Sequence, residues 1–199
     1  FYIDNKEVEG FTLSAKAEDC PKQLISMGAY AIIMPDKKWV NTTSLEFGDI
    51  EASFESTGTV NFTMCRVDGT NYEGATVSAV EPRDPNNMDI WIDTSSTPHT
   101  LKQWSESSAT WVSIATTYIK ISADGIGSKF EINDGVTISG IEGKQLSDLN
   151  STMIIWDKGD NYIVVTGFLD EVASQENPIS VSREMPNMDF IIESGNRLG

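Results

Sequence analysis

Short runs rich in β-branched and aromatic residues recur along this 199-residue chain, and Gly, Asp, Asn and Pro separate them. Successive runs lie about 8 to 15 residues apart, a spacing typical of an all-β sandwich or barrel. The sequence therefore predicts a mainly β protein. The predicted strands are residues 11–13, 29–34, 50–55, 60–65, 75–79, 90–92, 101–104, 111–114, 118–122, 136–139, 153–156, 162–168, 179–182 and 190–192.

A β-hairpin is predicted over residues 153–168. The segment Lys158-Gly159-Asp160-Asn161 lies between two apolar runs, as a hairpin loop does. The second run, Tyr162–Thr166, is apolar at nearly every residue, which favours a strand that is covered on both faces. Further turns are predicted at the Asp-Gly pairs 68–69, 124–125 and 134–135.

Helical signals are few. Residues 19–28 begin with an Asp, carry a Pro in the first turn and apolar residues at 24, 25 and 27, and end in a Gly. This order favours one short helix. Single helical turns are predicted within 126–132 and 146–150. The predicted class is therefore mainly β, with one or two short helices.

Two breaks in the strand pattern suggest how the chain is divided. Two prolines and two consecutive Asn interrupt it at 81–87, and a polar run follows at 94–99. Because ordinary domains hold roughly 100 to 150 residues, we predict two small β-barrel or sandwich-like subdomains, 1–93 and 94–186. Residues 187–199 are predicted to begin a further β unit or to form a C-terminal strand.

The charge of the chain excludes several kinds of partner. Thirty Asp and Glu against 14 Lys and Arg give a net charge of -16. Such a chain repels phosphate backbones and anionic lipid surfaces, so we expect neither direct nucleic-acid binding nor membrane binding. No apolar run approaches the roughly 18 to 20 residues of a membrane-spanning helix.

The residue types that most often build catalytic devices are scarce. His99 is the single histidine, and it follows Pro98 in a predicted loop, without a GxSxG pattern. Any Ser-His-Asp or Cys-His catalytic site would have to use this residue. Because no nucleophile pattern accompanies it, the sequence favours a structural or exposed loop histidine. The 30 acids produce carboxylate pairs by chance, so a glycan hydrolase stays the weaker alternative.

No metal or cofactor site is predicted. Cys20 and Cys65 have neither a CxxC spacing nor a histidine cluster, and a single bridge between them is left open. Residues 157–161 gather oxygen donors but lack the closing bidentate Glu of a calcium loop, so a tight turn is favoured. Gly125-Ile126-Gly127 lacks the GxxxxGK[ST] pattern that cradles phosphates.

The five tryptophans are the candidate binding residues. In a β protein such side chains are most often core residues or anchors of subunit interfaces. A flat platform that stacks on the pyranose rings of a host glycan is the alternative. The candidates are Trp39, Trp91, Trp104, Trp111 and Trp156.

Four stretches together resemble a known class of proteins. The first reads MGAYAIIMPDKKWVNT at 27–42, and the second reads LKQWS at 101–105, followed by Trp111 and TYIKI at 117–121. The third is DGVTISG at 134–140, followed by DLN and GDNYIVV. The last is VSREMPNMDF at 181–190, running into ESGNRL. In combination they are similar to virion structural proteins encoded by phages and prophages of Gram-positive bacteria.

The resemblance implies a function in assembly. A tail or connector component buries complementary surface against other virion proteins and further copies of itself, and it needs no active site and no cofactor. We therefore expect a non-enzymatic virion protein, with a carbohydrate-binding module for the host surface as the alternative. The resemblance also implies that Asn196-Arg197-Leu198 leads into further β repeats of a longer product, although Gly199 stands where a Trp is expected.

Overall fold

The computed structural model describes residues 1–14 and 21–183. Strands make up 44% and helical turns 4%, which confirms the predicted mainly β, sandwich-like class. The strands are β1 Tyr2–Ile3, β2 Lys6–Glu7, β3 Gln23–Met27, β4 Tyr30–Met34, β5 Lys38–Asn41, β6 Phe47–Asp49, β7 Ala52–Glu55, β8 Val60–Cys65, β9 Thr76–Ser78, β10 Ile90–Asp93, β11 Thr100–Ser105, β12 Thr110–Ser113, β13 Tyr118–Ser122, β14 Gly135–Ser139, β15 Thr152–Ile154, β16 Asp157–Gly159, β17 Tyr162–Thr166, β18 Ala173–Gln175 and β19 Ser180–Arg183.

The described residues form two compact units, 1–52 and 53–183. This division differs from the one predicted near residue 93. Strand β8, before that position, pairs along its length with β13, which follows it. The prolines and asparagines at 81–87 interrupt strands within one unit, because a loop between β9 and β10 needs turn residues as much as a linker does.

The first unit contains the two-stranded hairpin β1-β2 and a four-stranded antiparallel meander, β3-β4-β5-β6, which we call the N-terminal sheet. One of its faces carries Ile33 and Val40, which are fully buried against Val8 and Phe11 of the preceding segment. Opposite residues of an antiparallel pair share a face, and side chains alternate along each strand. The other face therefore carries Ile25, Met27, Tyr30, Ile32 and Trp39, and we call it the aromatic face.

Residues 23–27 form strand β3 and not the predicted helix; residues 19 and 20 of that prediction lie outside the described residues. Gly28 has φ +61° and stands in the two-residue loop of the β3-β4 hairpin, where Met27 opposes Tyr30. The same glycine that could end a helix thus starts a reversal of the chain. Pairing with the apolar strand β4 outweighs the weak local helix propensity.

Asp36, in the turn between β4 and β5, holds together the chain on both sides of residues 15–20. It accepts hydrogen bonds from the backbone N–H of Ser14 at 2.6 Å, the Ser14 hydroxyl at 2.7 Å and the Lys22 ammonium at 2.6 Å. The Asp36 side chain is only 1% exposed. The hydrogen bonds from Lys22 and Ser14 hold the pKa of this carboxyl well below its usual range.

We expect Asp36→Asn to lower the melting temperature at neutral pH, because the ionised carboxylate is the form that these donors stabilise. A depressed pKa contributes stability above the unfolded value, about 4, and that stability is lost as the pH falls toward the folded value. The difference between variant and wild type should therefore shrink below about pH 4. Thermal unfolding across this range tests it, with Glu51→Gln as the control. The Lys37–Glu51 pair is exposed, so its loss should change little at any pH.

The second unit contains three sheets. A five-stranded antiparallel sheet runs β16-β17-β13-β8-β18, a four-stranded sheet runs β15-β14-β19-β7, and the tryptophan sheet runs β12-β11-β10-β9 with β9 and β10 parallel. Ile163, Val164 and Val165 of β17 are all fully buried. Since successive side chains point to opposite faces, both faces of this strand are covered, as its apolar sequence predicts.

The predicted hairpin over 153–168 is present in a shorter form. Strand β16 pairs with β17 around the two-residue turn at Asp160 and Asn161, so Lys158 and Gly159 are strand residues and not loop residues. Met153 belongs to β15, which pairs with β14 in a different sheet. The apolar run at 153–156 thus passes from one sheet to the next at Ile155, which local patterning alone does not reveal.

Both predicted helical turns are present as 3₁₀ helices, Ile126–Lys129 and Ser147–Leu149. The positive φ of Gly69 and Gly125 agrees with turns at the first two Asp-Gly pairs. At the third pair the turn falls one position earlier, because Asn133 takes the positive φ and Gly135 begins β14. The predicted strand at 190–192 lies outside the described residues.

Candidate functional site

Three of the five candidate tryptophans come together on one face of the tryptophan sheet. Trp104 of β11 stands directly opposite Trp111 of β12, and Trp91 of β10 lies one row away. The ring of Trp111 lies between the other two, with centroids 5.5 Å apart in both pairs and interplanar angles of 67° and 65°. The cluster is therefore an edge-to-face stack, the arrangement preferred when aromatic rings pack on one another.

An ion pair borders this cluster. The Lys102 ammonium lies 4.5 Å from the centroid of the Trp91 ring and donates a hydrogen bond of 2.7 Å to Asp93. The hydrogen bond from Lys102, together with those from Ser95, lowers the pKa of Asp93 to about 2. Asp93 is buried although it is the last residue of β10. The pair holds Lys102 across Trp91 and fixes the ring in place.

The cluster is shaped for packing against protein groups more than for stacking on a sugar. Trp91 is buried and donates its indole N–H to the Ser78 carbonyl at 2.9 Å, while Trp104 and Trp111 are half-buried. The buried indole N–H of Trp111 has no hydrogen-bond partner among the described residues, which costs about 1–3 kcal/mol. Rings inclined by some 65° do not present the coplanar platform that a pyranose chain needs.

The structure does not bring the other two candidate tryptophans into this cluster. Trp39 lies on the aromatic face of the N-terminal sheet, edge-to-face with Tyr30 at 5.7 Å. Its indole lies across Gly48, where an added Cβ would come within 2.8 Å of Nε1. Trp156 is 43% exposed and packs edge-to-face on Tyr118 at 5.8 Å. Each is therefore a separate aromatic pair.

His99 is neither an isolated loop residue nor fully exposed. Its Nδ1 lies 2.7 Å from Oδ2 of Asp170, a residue 71 positions along the chain. Because a carboxylate accepts hydrogen bonds, Nδ1 is the ring nitrogen placed to donate to Asp170, and this contact fixes the orientation of the ring. The sequence singled out His99 but not Asp170, because nothing local connects two residues so far apart.

The His99–Asp170 pair borders a pocket of about 310 Å³ in the second unit, which we call the His99 pocket. Its walls include four apolar side chains and a polar rim. The apolar residues are Ile119, Leu149, Met153 and Phe168, and the rim is formed by Thr97, His99, Gln145, Asp148, Thr166 and Asp170. Such a pocket lies at the small end of the range in which ligand sites are found.

The described residues offer neither a metal site nor, at Cys65, a reactive thiol. Within residues 1–14 and 21–183, no group of three or more His, Cys, Asp or Glu side chains is arranged to hold a metal ion. Burial raises the pKa of the Cys65 thiol to about 11, so this group stays protonated and unreactive at neutral pH. Cys20, its possible bridging partner, lies outside the described residues.

Comparisons with known proteins give no relative from which a function could be inferred. No protein family, curated protein or solved structure matches the chain. In the described residues, no helix is both long enough and apolar enough to cross a membrane. The candidate sites are therefore the tryptophan cluster, the aromatic face with its edge strand β3, and the His99 pocket.

Proposed function

We propose that the chain is a structural subunit of a phage particle, associated with the tail or connector, that acts through protein–protein contacts without catalysis. The observation that carries the proposal is the edge strand β3, which pairs with β4 on one side and with no other strand of the described residues. An unpaired strand edge presents a row of N–H and C=O groups to which a strand of another subunit can add.

The side chains of β3 favour an assembling edge over a protected one. Leu24 is 64% exposed and Met27 51% exposed, and no charged residue or proline interrupts Gln23–Met27. Soluble proteins usually protect such an edge with Lys, Pro or a bulge. Lys22, immediately before the strand, is turned to Asp36 and does not serve that purpose.

The aromatic face beside this edge supports the same proposal. Tyr30 is 48% exposed and packs against Trp39, with Met27 opposite it on β3. Large aromatic and Met side chains are enriched where subunits meet. The net charge of -16 keeps unassembled copies soluble by mutual repulsion. The resemblance of the four sequence stretches to virion proteins is the reason for proposing a phage particle as the assembly.

We expect Leu24→Lys to weaken self-association by about tenfold or more, since a charge in the edge strand opposes strand addition. Sedimentation velocity of wild type and variant over the micromolar to millimolar range measures this. Val80→Lys is the matched control, because Val80 is 75% exposed but lies in a loop. A wild-type chain that stays monomeric throughout, or equal effects of both substitutions, would contradict assembly through β3.

The genes on either side of the coding sequence test whether the protein belongs to a phage particle. Portal, capsid or tail genes are expected there, whereas a metabolic operon would overturn the assignment. A glycan array tests the carbohydrate-binding alternative on the same preparation. Binding that is lost in Trp104→Ala and Trp156→Ala would favour that alternative over the assembly function.

A further inference from the structure

We propose that the His99 pocket receives a lysine side chain from a neighbouring protein subunit. The inference rests on the proposed function for the identity of that neighbour as a particle subunit. The binding chemistry rests on the pocket alone, which combines an apolar wall with a rim of hydrogen-bond acceptors. A lysine has the matching form, a four-carbon stem that ends in a compact ammonium group with three donors.

The polar rim of the His99 pocket favours a cationic ligand. Asp148 and Asp170 contribute carboxylates, and Thr97, Gln145 and Thr166 add hydroxyl and amide oxygens that can accept hydrogen bonds. The lining contains neither Lys nor Arg, so no described cation of the chain neutralises the rim from within the pocket. An anion would be repelled by both carboxylates, whereas an ammonium group gains from each of them.

The apolar wall of the pocket favours a ligand with an aliphatic chain below its charged end. Ile119 and Leu149 are buried, and they approach the backbone of Gly167 so closely that a Cβ there would lie 2.8 Å from one and 3.0 Å from the other. Met153 and Phe168 are half-buried and complete the apolar part of the lining. The methylene groups of a lysine would cover this surface while its charged end reached the rim, as long cationic side chains do at protein surfaces.

The charge of the whole chain indicates which neighbour is suited. A second copy would bring another net charge of -16, whereas a subunit with exposed lysines complements the acidic surface. His99, Asp148 and Asp170 line the pocket, but among the described residues they do not form a group that could hold a metal ion, so the pocket does not fit a bare divalent ion. The geometry thus favours a basic protein partner.

Binding of Nα-acetyl-lysine methylamide to the ¹⁵N-labelled chain tests the inference by NMR. We expect saturable shifts of the Leu149 and Gly167 amides, with Nα-acetyl-norleucine methylamide bound at least about tenfold more weakly because it has the stem without the charge. Asp170→Asn and Asp148→Asn should each weaken lysine binding, by about tenfold for Asp170. Asp124→Asn, an exposed acid outside the pocket lining, is the matched control and should change nothing.

Two results would overturn the inference: equal shifts with lysine and norleucine probes, or lysine binding that Asp124→Asn weakens as much as the pocket variants do. The backbone spectrum of each variant shows whether it is folded, so loss of binding is separated from unfolding. The sedimentation experiment on β3 fails or succeeds independently. A pocket that binds lysine in a chain that never assembles would leave this site standing and remove the proposed function.

Discussion

Gly127→Ala is expected to unfold the second unit under conditions in which the wild type is fully folded. A Cβ at this position would overlap the carbonyl oxygen of Gly159 and lie 2.6 Å from the carbonyl oxygen of Tyr162. Both obstacles are backbone atoms of the β16-β17 hairpin, so no side-chain rotation relieves the overlap. The Gly127 N–H also donates to the Asp160 carbonyl at 3.0 Å, a bond that would break if the backbones moved apart.

The expected loss exceeds about 3 kcal/mol, because overpacking against mobile side chains already costs about 1–3 kcal/mol. Urea unfolding followed by tryptophan fluorescence measures it. Gly135→Ala is the control: it is the same substitution at the first residue of β14, where the added Cβ meets nothing within 4 Å. A Gly127→Ala protein as stable as the Gly135→Ala protein would show that the 3₁₀ turn does not lie against the hairpin.

Phe62→Ala should cost about 3–5 kcal/mol, the range observed when a buried phenylalanine is truncated. Phe62 is 1% exposed in the middle of β8, where it stands opposite Ile121 on one side and Ala173 on the other. Its removal leaves a cavity beside β8 of the five-stranded sheet, and strands that are paired on both sides are too constrained to collapse into it.

The free energy of unfolding of Phe62→Ala, compared with that of Asn61→Ala, checks this position. Asn61 lies in the same strand but is exposed, so its truncation should stay within about 0.5 kcal/mol. Phe62→Leu should fall between the two, since it keeps most of the buried apolar volume. Similar losses for all three variants would mean that residue 62 does not face a packed core.

The proposed assembly function and the lysine pocket depend on different parts of the chain. Strand β3 belongs to residues 1–52, and the His99 pocket belongs to residues 53–183. Main-chain pairing at an edge is tolerant of sequence, whereas a charged rim selects its partner. A particle subunit with both would use the first to join like copies and the second to recognise a different, basic neighbour.

Local sequence patterns were sufficient for the strand class and for several strands. The predicted strands 60–65 and 118–122 coincide with β8 and β13, because each has turn residues at both ends and a dense β-branched or aromatic content. The continuous apolar character of β17 likewise revealed its burial on both faces. Alternation, turn chemistry and burial are properties of a few neighbouring residues, so they can be read without the fold.

Only the tertiary structure decided what those strands bring together. Residues 23–27 became a strand because β4 was available to pair with them, and Asp93 is buried because Lys102 on the next strand compensates its charge. His99 meets Asp170 across 71 positions. Such pairings depend on the register and connection of strands far apart in the chain, and the energy that selects them comes from long-range contacts that no local window contains.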